Sequence, residues 1–211
     1  MDNLTNKVFV FEKVNKINNS FFYLFIKRLF DIVLSFCGLI VFLIPMIFVS
    51  LLIIRDKGPV FFKQKRLGLN GKEFTLIKFR TMNVDAEKNG MKWAEKDDPR
   101  VTKIGKKLRK HRIDELPQLI NILLGDMSIV GPRPEVAYFY QKFEKYIVGF
   151  NQRLLVKPGL TGWAQVNGGY DLKPEEKIVF DLEYIKKQSV FFDMKIIIKT
   201  ILVVINKEGA Q

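Results

Sequence analysis

The chain of 211 residues has one cysteine, Cys37, and one histidine, His111. A single cysteine excludes an internal disulfide and any cysteine-cluster metal site, and it suits a reducing compartment. A single histidine excludes a zinc centre built on several imidazoles. With neither a Ser-His nor a Cys-His arrangement, ordinary hydrolase chemistry is also disfavoured. Prolines number only eight and charged residues 27%, which argues against extensive disorder. At 48%, apolar residues are too few for a chain that crosses the bilayer many times. Acidic residues are scarce, 22 against 35 Lys and Arg, giving a net charge of +13. Such an excess suits an anionic partner: nucleic acid, anionic lipid or a phosphorylated substrate. The length fits one domain, or one domain with an appendage.

The apolar residues are concentrated. Ile32 to Ile54 is a run of 23 residues without a charge. As a helix it measures about 35 Å, roughly the hydrocarbon thickness of a bilayer. A cleavable signal peptide fits poorly, because the run begins about thirty residues in and has no small-residue cleavage site. Lys27 and Arg28 precede the run, and Arg55 and Lys57 follow it. A spanning helix usually carries its basic excess on one side only. Pro45, just past the middle, predicts a kink. The half from Ile32 to Ile44 would reach about 20 Å, too short to cross alone. Two forms remain open on this pattern. One is a transmembrane anchor containing a proline. The other dips into one leaflet at Pro45 and returns to the side it entered.

Downstream the chain reads as mixed α/β, mostly helical, with short elements. Val60–Arg66 and Phe74–Met82 are strand-like and joined through Gly68–Gly71, which contains the Asn70-Gly71 turn signal. Asn83–Pro99 is polar and predicts a loop. Apolar spacing predicts amphipathic helices over Arg100–Ile113 and Glu135–Phe150, and a short apolar helix over Leu116–Leu124. Pro174 opens another helix, carrying Ile178, Leu182 and Ile185. Val190–Ile205 is very apolar yet holds Asp193, Lys195 and Lys199, so an interfacial or core-docked helix is expected there. The first twenty residues carry no readable signal.

Charge is as localised as apolarity. Arg100 to Arg112 holds seven basic residues and no acidic one, supplying +7 of the +13. A solvated basic face or a headgroup patch would look the same. Nucleic acid is not expected as the partner, because no helix-turn-helix, zinc-finger or RNP-type pattern is present. Directly after the cations come Asp114 and Glu115. Adjacent carboxylates beside a cation cluster suit metal-assisted phosphate chemistry, in which one attacks phosphorus or holds Mg²⁺ while the cations neutralise phosphate oxygens. They could equally cap the following helix. Arg133 lies between Pro132 and Pro134, which hold the backbone stiffly and suit bidentate recognition of a phosphate. Lys78 and Arg80 share one face of the second strand by period two, a candidate anion-binding wall.

These segments resemble a known family. Lys27-Arg28-x-x-Asp31, GPVFFKQKRLG (58–68), FTLIKFRTM (74–82), LRKHRIDELPQLINILLGDMSIVGPRP (108–134) and KPGLTGWAQVNG (157–168) together look like the bacterial sugar transferases, monotopic phosphoglycosyl transferases that use polyprenol phosphate. The likeness runs from about Lys27 to Ile205. It implies transfer of sugar 1-phosphate from a UDP-sugar to undecaprenyl phosphate, with UMP released and Mg²⁺ required. By motif, Asp114 would be the nucleophile and a Mg²⁺ ligand, Glu115 its catalytic partner, and Lys78, Arg80, Arg109 and Arg133 the phosphate-side cations. The resemblance favours the re-entrant form of the apolar segment. Its implied fold is a re-entrant membrane helix hairpin over 27–57 and a small cytosolic catalytic domain over 58–211, with a short β-hairpin and amphipathic interfacial helices. An N-terminal segment, 1–26, precedes them. The implied location is the cytoplasmic face of a bacterial inner membrane. Many relatives in the resembled family carry Ser-Pro where this chain has Ile44-Pro45, and they commonly carry Gly-Arg where it has Gly168-Gly169. The competing reading is a non-catalytic, membrane-anchored scaffold that merely holds anions.

Overall fold

A computed structural model describes residues 8–88, 90, 98–169 and 172–206. Part of the loop expected over Asn83–Pro99 lies outside the described residues, as does Tyr170. The architecture is mixed α/β with helix dominant: three two-stranded sheets are embedded among seven α-helices within the described residues.

Residues 8–20, silent in sequence, strap onto the globular part. Strand β1 (Phe9–Val10) pairs in parallel with a later strand at Ile147–Val148. Val14 is buried, and its N–H donates to Gln152 Oε1 at 2.6 Å. Asn18 and Gln188 exchange side-chain to backbone hydrogen bonds at 3.2 and 3.1 Å.

Helix α1 (Phe21–Val41) starts eleven residues before the apolar run, so the basic pair at its edge lies inside a helix and turns toward the protein. Lys27 Nζ donates to Val130 O (2.9 Å), the Tyr184 hydroxyl (3.2 Å) and Asp193 Oδ2 (2.8 Å). Arg28 donates to the carbonyls of Ile122 and Leu123 at 2.7 and 2.8 Å, which satisfies acceptors that a helix C-terminus leaves open. Asp31 Oδ1 accepts from Ser128 Oγ (2.9 Å) and Ile129 N–H (2.8 Å). Lys27-Arg28-x-x-Asp31 is thus a docking motif that fastens α1 to the domain.

Helix α2 (Leu43–Ile54) follows α1 after a bend of 61°. The break falls at Phe42 (φ −91°, ψ 6°) rather than at Pro45. The reason is steric: Pro45 has no N–H for the carbonyl four residues back, Val41, and its ring crowds that carbonyl. The helix therefore ends where the partner is lost. Among the described residues no single helix is long and apolar enough to cross a membrane, while the bent pair together passes on length and composition. Its outward side is apolar and bare, with Ile44 78%, Val41 68% and Phe48 62% exposed. A contiguous surface of that kind marks an interaction with another apolar phase or partner.

Strands β2 (Phe61–Leu67) and β3 (Glu73–Phe79) form the expected antiparallel hairpin, with Phe61 opposite Phe79. Its turn uses positive φ at Asn70 (55°) and Gly71 (76°). Phe74 and Leu76 pack on Leu119, Ile122 and Met127 beneath the hairpin. Phe79 joins Val49 and Ile53 of α2 to Leu108 of α3 (Lys103–Lys110). That helix is shorter than the predicted Arg100–Ile113, because the Thr102 hydroxyl caps it by accepting from Gly105 N–H at 2.9 Å. Position 105 must be glycine: a Cβ there would sit 2.0 Å from the Thr81 carbonyl oxygen.

Helix α4 (Gln118–Leu124) ends at Gly125 in the left-handed region and leads into β4 (Ser128–Val130). The helix predicted over Glu135–Phe150 is only α5 (Ala137–Glu144). Its expected C-terminal half becomes β5 (Ile147–Val148), where two β-branched residues pair with β1, and then Gly149 at φ 96°. A 3₁₀ turn spans Phe150–Leu155, and β6 (Gly159–Thr161) pairs in parallel with β4. Helices α6 (Pro174–Lys187) and α7 (Val190–Asn206) close the chain. The largest core cluster joins Tyr140, Phe143, Ile147 and Phe150 to Ile178, Leu182, Ile185 and Ile196. On its other side α7 exposes Phe191 (90%), Ile198 and Ile201. It is docked through one face and apolar on the other.

Candidate active site

Asp114 and Glu115 lie on a 3₁₀ turn, Ile113–Glu115, that precedes α4 instead of forming its first turn. Arg112 enters that turn in the left-handed region at φ 55°. A non-glycine residue there costs of order 1–2 kcal/mol, which the surrounding packing sustains. Both carboxyls are buried, 6% and 7% exposed.

Their environments differ. Arg133 donates from Nη2 to Glu115 Oε1 at 2.6 Å and from Nη1 to Oε2 at 3.2 Å. Burial alone would raise the Glu115 pKa, but this paired guanidinium holds its carboxyl below the usual range. Asp114 accepts no hydrogen bond from any described residue. Burial first, and repulsion from Glu115 second, push its pKa up to about 6, against the pull of Lys78, Arg109 and Arg133. The two adjacent acids are thereby pushed apart in character.

The pair opens into a cleft of about 270 Å³. The β2–β3 hairpin supplies one wall, through Phe62, Arg66 and Lys78. Lys78 lies 5.2 Å from the Phe62 ring centroid and makes no hydrogen bond with a described residue. Burial lowers its pKa to about 8; Asp114 opposes that shift, and Arg66, Arg109 and Arg133 add to it. Arg109 also lines the cleft, its Nε donating to Thr81 Oγ1 at 3.0 Å.

Of the predicted residues, Lys78, Arg109, Asp114, Glu115 and Arg133 converge on this cleft with their polar groups. Arg80 borders it but differs in role. The residue is 6% exposed, and its guanidinium donates to Pro59 O (2.8 Å), Met82 O (3.3 Å) and Ile53 O (3.3 Å). In this structure the Arg80 guanidinium thus clasps the end of α2 to the hairpin while the residue borders the cleft. Arg66, Arg112 and Lys177 also line the cleft. Arg112 was visible only as one of seven cations in its run. Lys177, on α6, had no sequence signal. Of the described residues no group of three His, Cys, Asp or Glu side chains could hold a metal ion. The Asp114 carboxylate, which accepts no hydrogen bond from a described residue, together with phosphate oxygens of a ligand would be a donor set for Mg²⁺, a hard ion that usually keeps substrate phosphates and water in its shell.

A strongly cationic cleft around a buried carboxylate is suited to holding phosphate groups. A model of the bacterial sugar transferase family matches residues 22–207, and the chain belongs to that family. It is 42% identical over 193 residues to a UDP-N-acetylgalactosamine-undecaprenyl-phosphate N-acetylgalactosaminephosphotransferase of Aeromonas hydrophila, covering 90% of this chain and 46% of that protein. It is 43% identical over 182 residues to a UDP-glucose:undecaprenyl-phosphate glucose-1-phosphate transferase of Escherichia coli (strain K12), covering 83% and 39%. An uncharacterized sugar transferase of Bacillus subtilis (strain 168) is 43% identical over 190 residues, covering 88% and 90%. The chain spans less than half the length of the first two relatives.

Proposed function

We propose that the chain transfers sugar 1-phosphate from a UDP-sugar to undecaprenyl phosphate at a membrane surface. The observation that carries this reading is Asp114: a buried carboxylate that accepts no hydrogen bond from a described residue, set among Lys78, Arg109 and Arg133 in a cleft of about 270 Å³. The names of the relatives support the substrates.

In the first step a carboxylate oxygen of Asp114 attacks the β-phosphorus of the donor. The bond from that phosphorus to the bridging oxygen breaks, and UMP leaves with the electron pair. In the second step a phosphate oxygen of the polyprenyl acceptor attacks the same phosphorus, and the Asp114–phosphorus bond breaks to regenerate the carboxylate. Lys78, Arg109 and Arg133 neutralise the charge on the phosphate oxygens. Glu115 holds Arg133 in place. Asp114, with the donor's phosphates, would hold Mg²⁺, which supplies further neutralisation of phosphate charge.

The bent α1–α2 pair is read as re-entrant, both ends on one face, with its bare apolar side in the lipid. The exposed apolar side of α7 suits the same interface. This sets the cleft at a fixed height over the headgroups, where a lipid phosphate arrives, on the cytoplasmic face of a bacterial inner membrane. The test is a screen for UMP release with a panel of UDP-sugars, undecaprenyl phosphate and Mg²⁺ in detergent. Release that is lost in Asp114→Asn supports the reading. A wild-type chain that releases no UMP from any donor, yet binds anionic lipid, would instead be a scaffold.

A further inference from the structure

Arg133 sits between two prolines, so two of the four residues Pro132–Glu135 have no N–H to offer. Their carbonyls remain as main-chain handles, and every one is taken by a different partner. Pro132 O accepts from Gly159 N–H at 2.9 Å, and Glu135 O accepts from Leu67 N–H at 3.0 Å. The two central carbonyls are held by side chains. Arg133 O accepts from Arg153 Nη2 at 2.8 Å, and Pro134 O accepts from Arg66 Nη1 at 3.0 Å.

Arg153 is itself tightly fixed. Its Nε donates to Asp181 Oδ2 at 2.6 Å, the two side chains being 2% and 1% exposed. The guanidinium lies 4.8 Å from the Phe150 ring centroid and 5.8 Å from that of Tyr140. Arg66 is anchored by Glu135 at 3.2 Å. Hydrogen bonds thus run from Asp181 through Arg153 to the backbone of Arg133, and from the Arg133 side chain to Glu115 beside Asp114. A planar fork with a fixed angle between its donors can bridge Asp181 and a carbonyl; a lysine ammonium cannot reproduce that geometry.

We propose that Arg153, with Arg66 at the other end, is a positioning residue that clamps the Pro132–Arg133–Pro134 segment so that the Arg133 guanidinium meets both Glu115 and the donor's diphosphate. The proposal rests on the phosphosugar-transfer reading of the cleft. Arg153 does not line the Asp114 cleft, and Arg66, on the cleft wall, is assigned the same indirect role through the Pro134 carbonyl.

The test is a double-mutant cycle on UMP release: wild type, Arg133→Lys, Arg153→Lys and the double variant. Displacing a substrate-positioning group by about 1 Å can cost on the order of 100-fold in rate. The expected result is a loss of about tenfold or more in kcat for Arg153→Lys, with the donor KM little changed. In the Arg133→Lys background the same change should cost almost nothing more. Additive losses would overturn the proposal, because a merely structural role lowers both backgrounds alike. If Arg153→Lys does not fold, as a thermal melt would reveal, the same cycle with Arg66→Lys decides the matter, since the Arg66 side chain is 17% exposed and better able to tolerate change. A wild-type chain inactive with every UDP-sugar would instead overturn the functional reading. An active wild type, an inactive Asp114→Asn and an additive cycle would overturn the positioning role alone.

Discussion

Arg133 donates to both carboxylate oxygens of Glu115, at 2.6 and 3.2 Å, while Asp114, its neighbour in the chain, accepts no hydrogen bond from a described residue. This relationship gives two adjacent acids opposite character, Glu115 held as an anion and Asp114 shifted upward. The buried pair would repel strongly if both ionised unaided. With Glu115 neutralised by Arg133, Asp114 ionises against repulsion that is partly cancelled by Lys78 and Arg109.

A pH profile follows from these shifts. In the proposed mechanism Asp114 attacks as the carboxylate, and its pKa is raised to about 6, so kcat/KM for UMP release should fall as pH drops through about 6. In the same proposal Lys78 acts as a cation with its pKa lowered to about 8, so a second decline should begin as pH rises through about 8. More Mg²⁺ should move the acid limb to lower pH, because the ion competes with the proton at Asp114. A flat profile between pH 5 and 9, measured at fixed ionic strength, would contradict both assignments.

Two substitutions move the acid limb in opposite directions. Lys78→Met removes a charge that favours the Asp114 carboxylate, so the limb shifts upward in pH and the decline near pH 8 disappears. Glu115→Gln removes the repulsion on Asp114, so the limb shifts downward. It also leaves Arg133 without its anionic partner, and the expected loss of stability is about 1–3 kcal/mol, read by thermal melting. Shifts of the same sign in both variants would rule out this electrostatic account.

Arg80 is expected to matter for folding more than for substrate. Arg80→Lys keeps the charge but loses donors to the carbonyls of Ile53, Pro59 and Met82. The melting temperature should fall, by the equivalent of about 1–3 kcal/mol, while the donor KM of the folded fraction stays as in wild type. A raised donor KM with unchanged stability would return Arg80 to the phosphate site.

The bend at Phe42 predicts the topology. With Cys37 replaced by Ser, cysteines introduced one at a time at Asn19 and Asp56 should both react with an impermeant reagent from the same side of sealed vesicles. Pro45→Leu restores an N–H able to reach the Val41 carbonyl, so the helix should straighten and the two sites should come to label from opposite sides. Opposite-side labelling of the parent protein would mean that the segment spans.

What the sequence disclosed tracks how local the cause of each feature is. The β2–β3 hairpin was legible because the Asn70-Gly71 turn and the flanking apolar residues are neighbours, and α6 because Pro174 marks its start. Strands β1, β4, β5 and β6 are two or three residues long and have no period to read; Ile147 and Val148 fit a helical stripe until β1 arrives from more than a hundred residues away. The break at Phe42 was misplaced because Pro45 acts on the carbonyl four residues behind it. Lys27 and Arg28 looked like markers of membrane orientation because their partners, Asp193 and the α4 carbonyls, are distant in sequence. Candidate residues in dense motifs, such as Asp114, Glu115 and Arg133, line one cleft. Arg66, Arg153 and Lys177 were not singled out, since each acquires its role only from the tertiary fold.

The most direct test of the central claim is the intact mass of the protein incubated with its UDP-sugar and Mg²⁺ in the absence of lipid acceptor. The account predicts a phosphosugar adduct that maps to Asp114, discharges when undecaprenyl phosphate is added and does not form in Asp114→Asn. UMP release by a protein that never carries an adduct, or an adduct that maps to another residue, would contradict it.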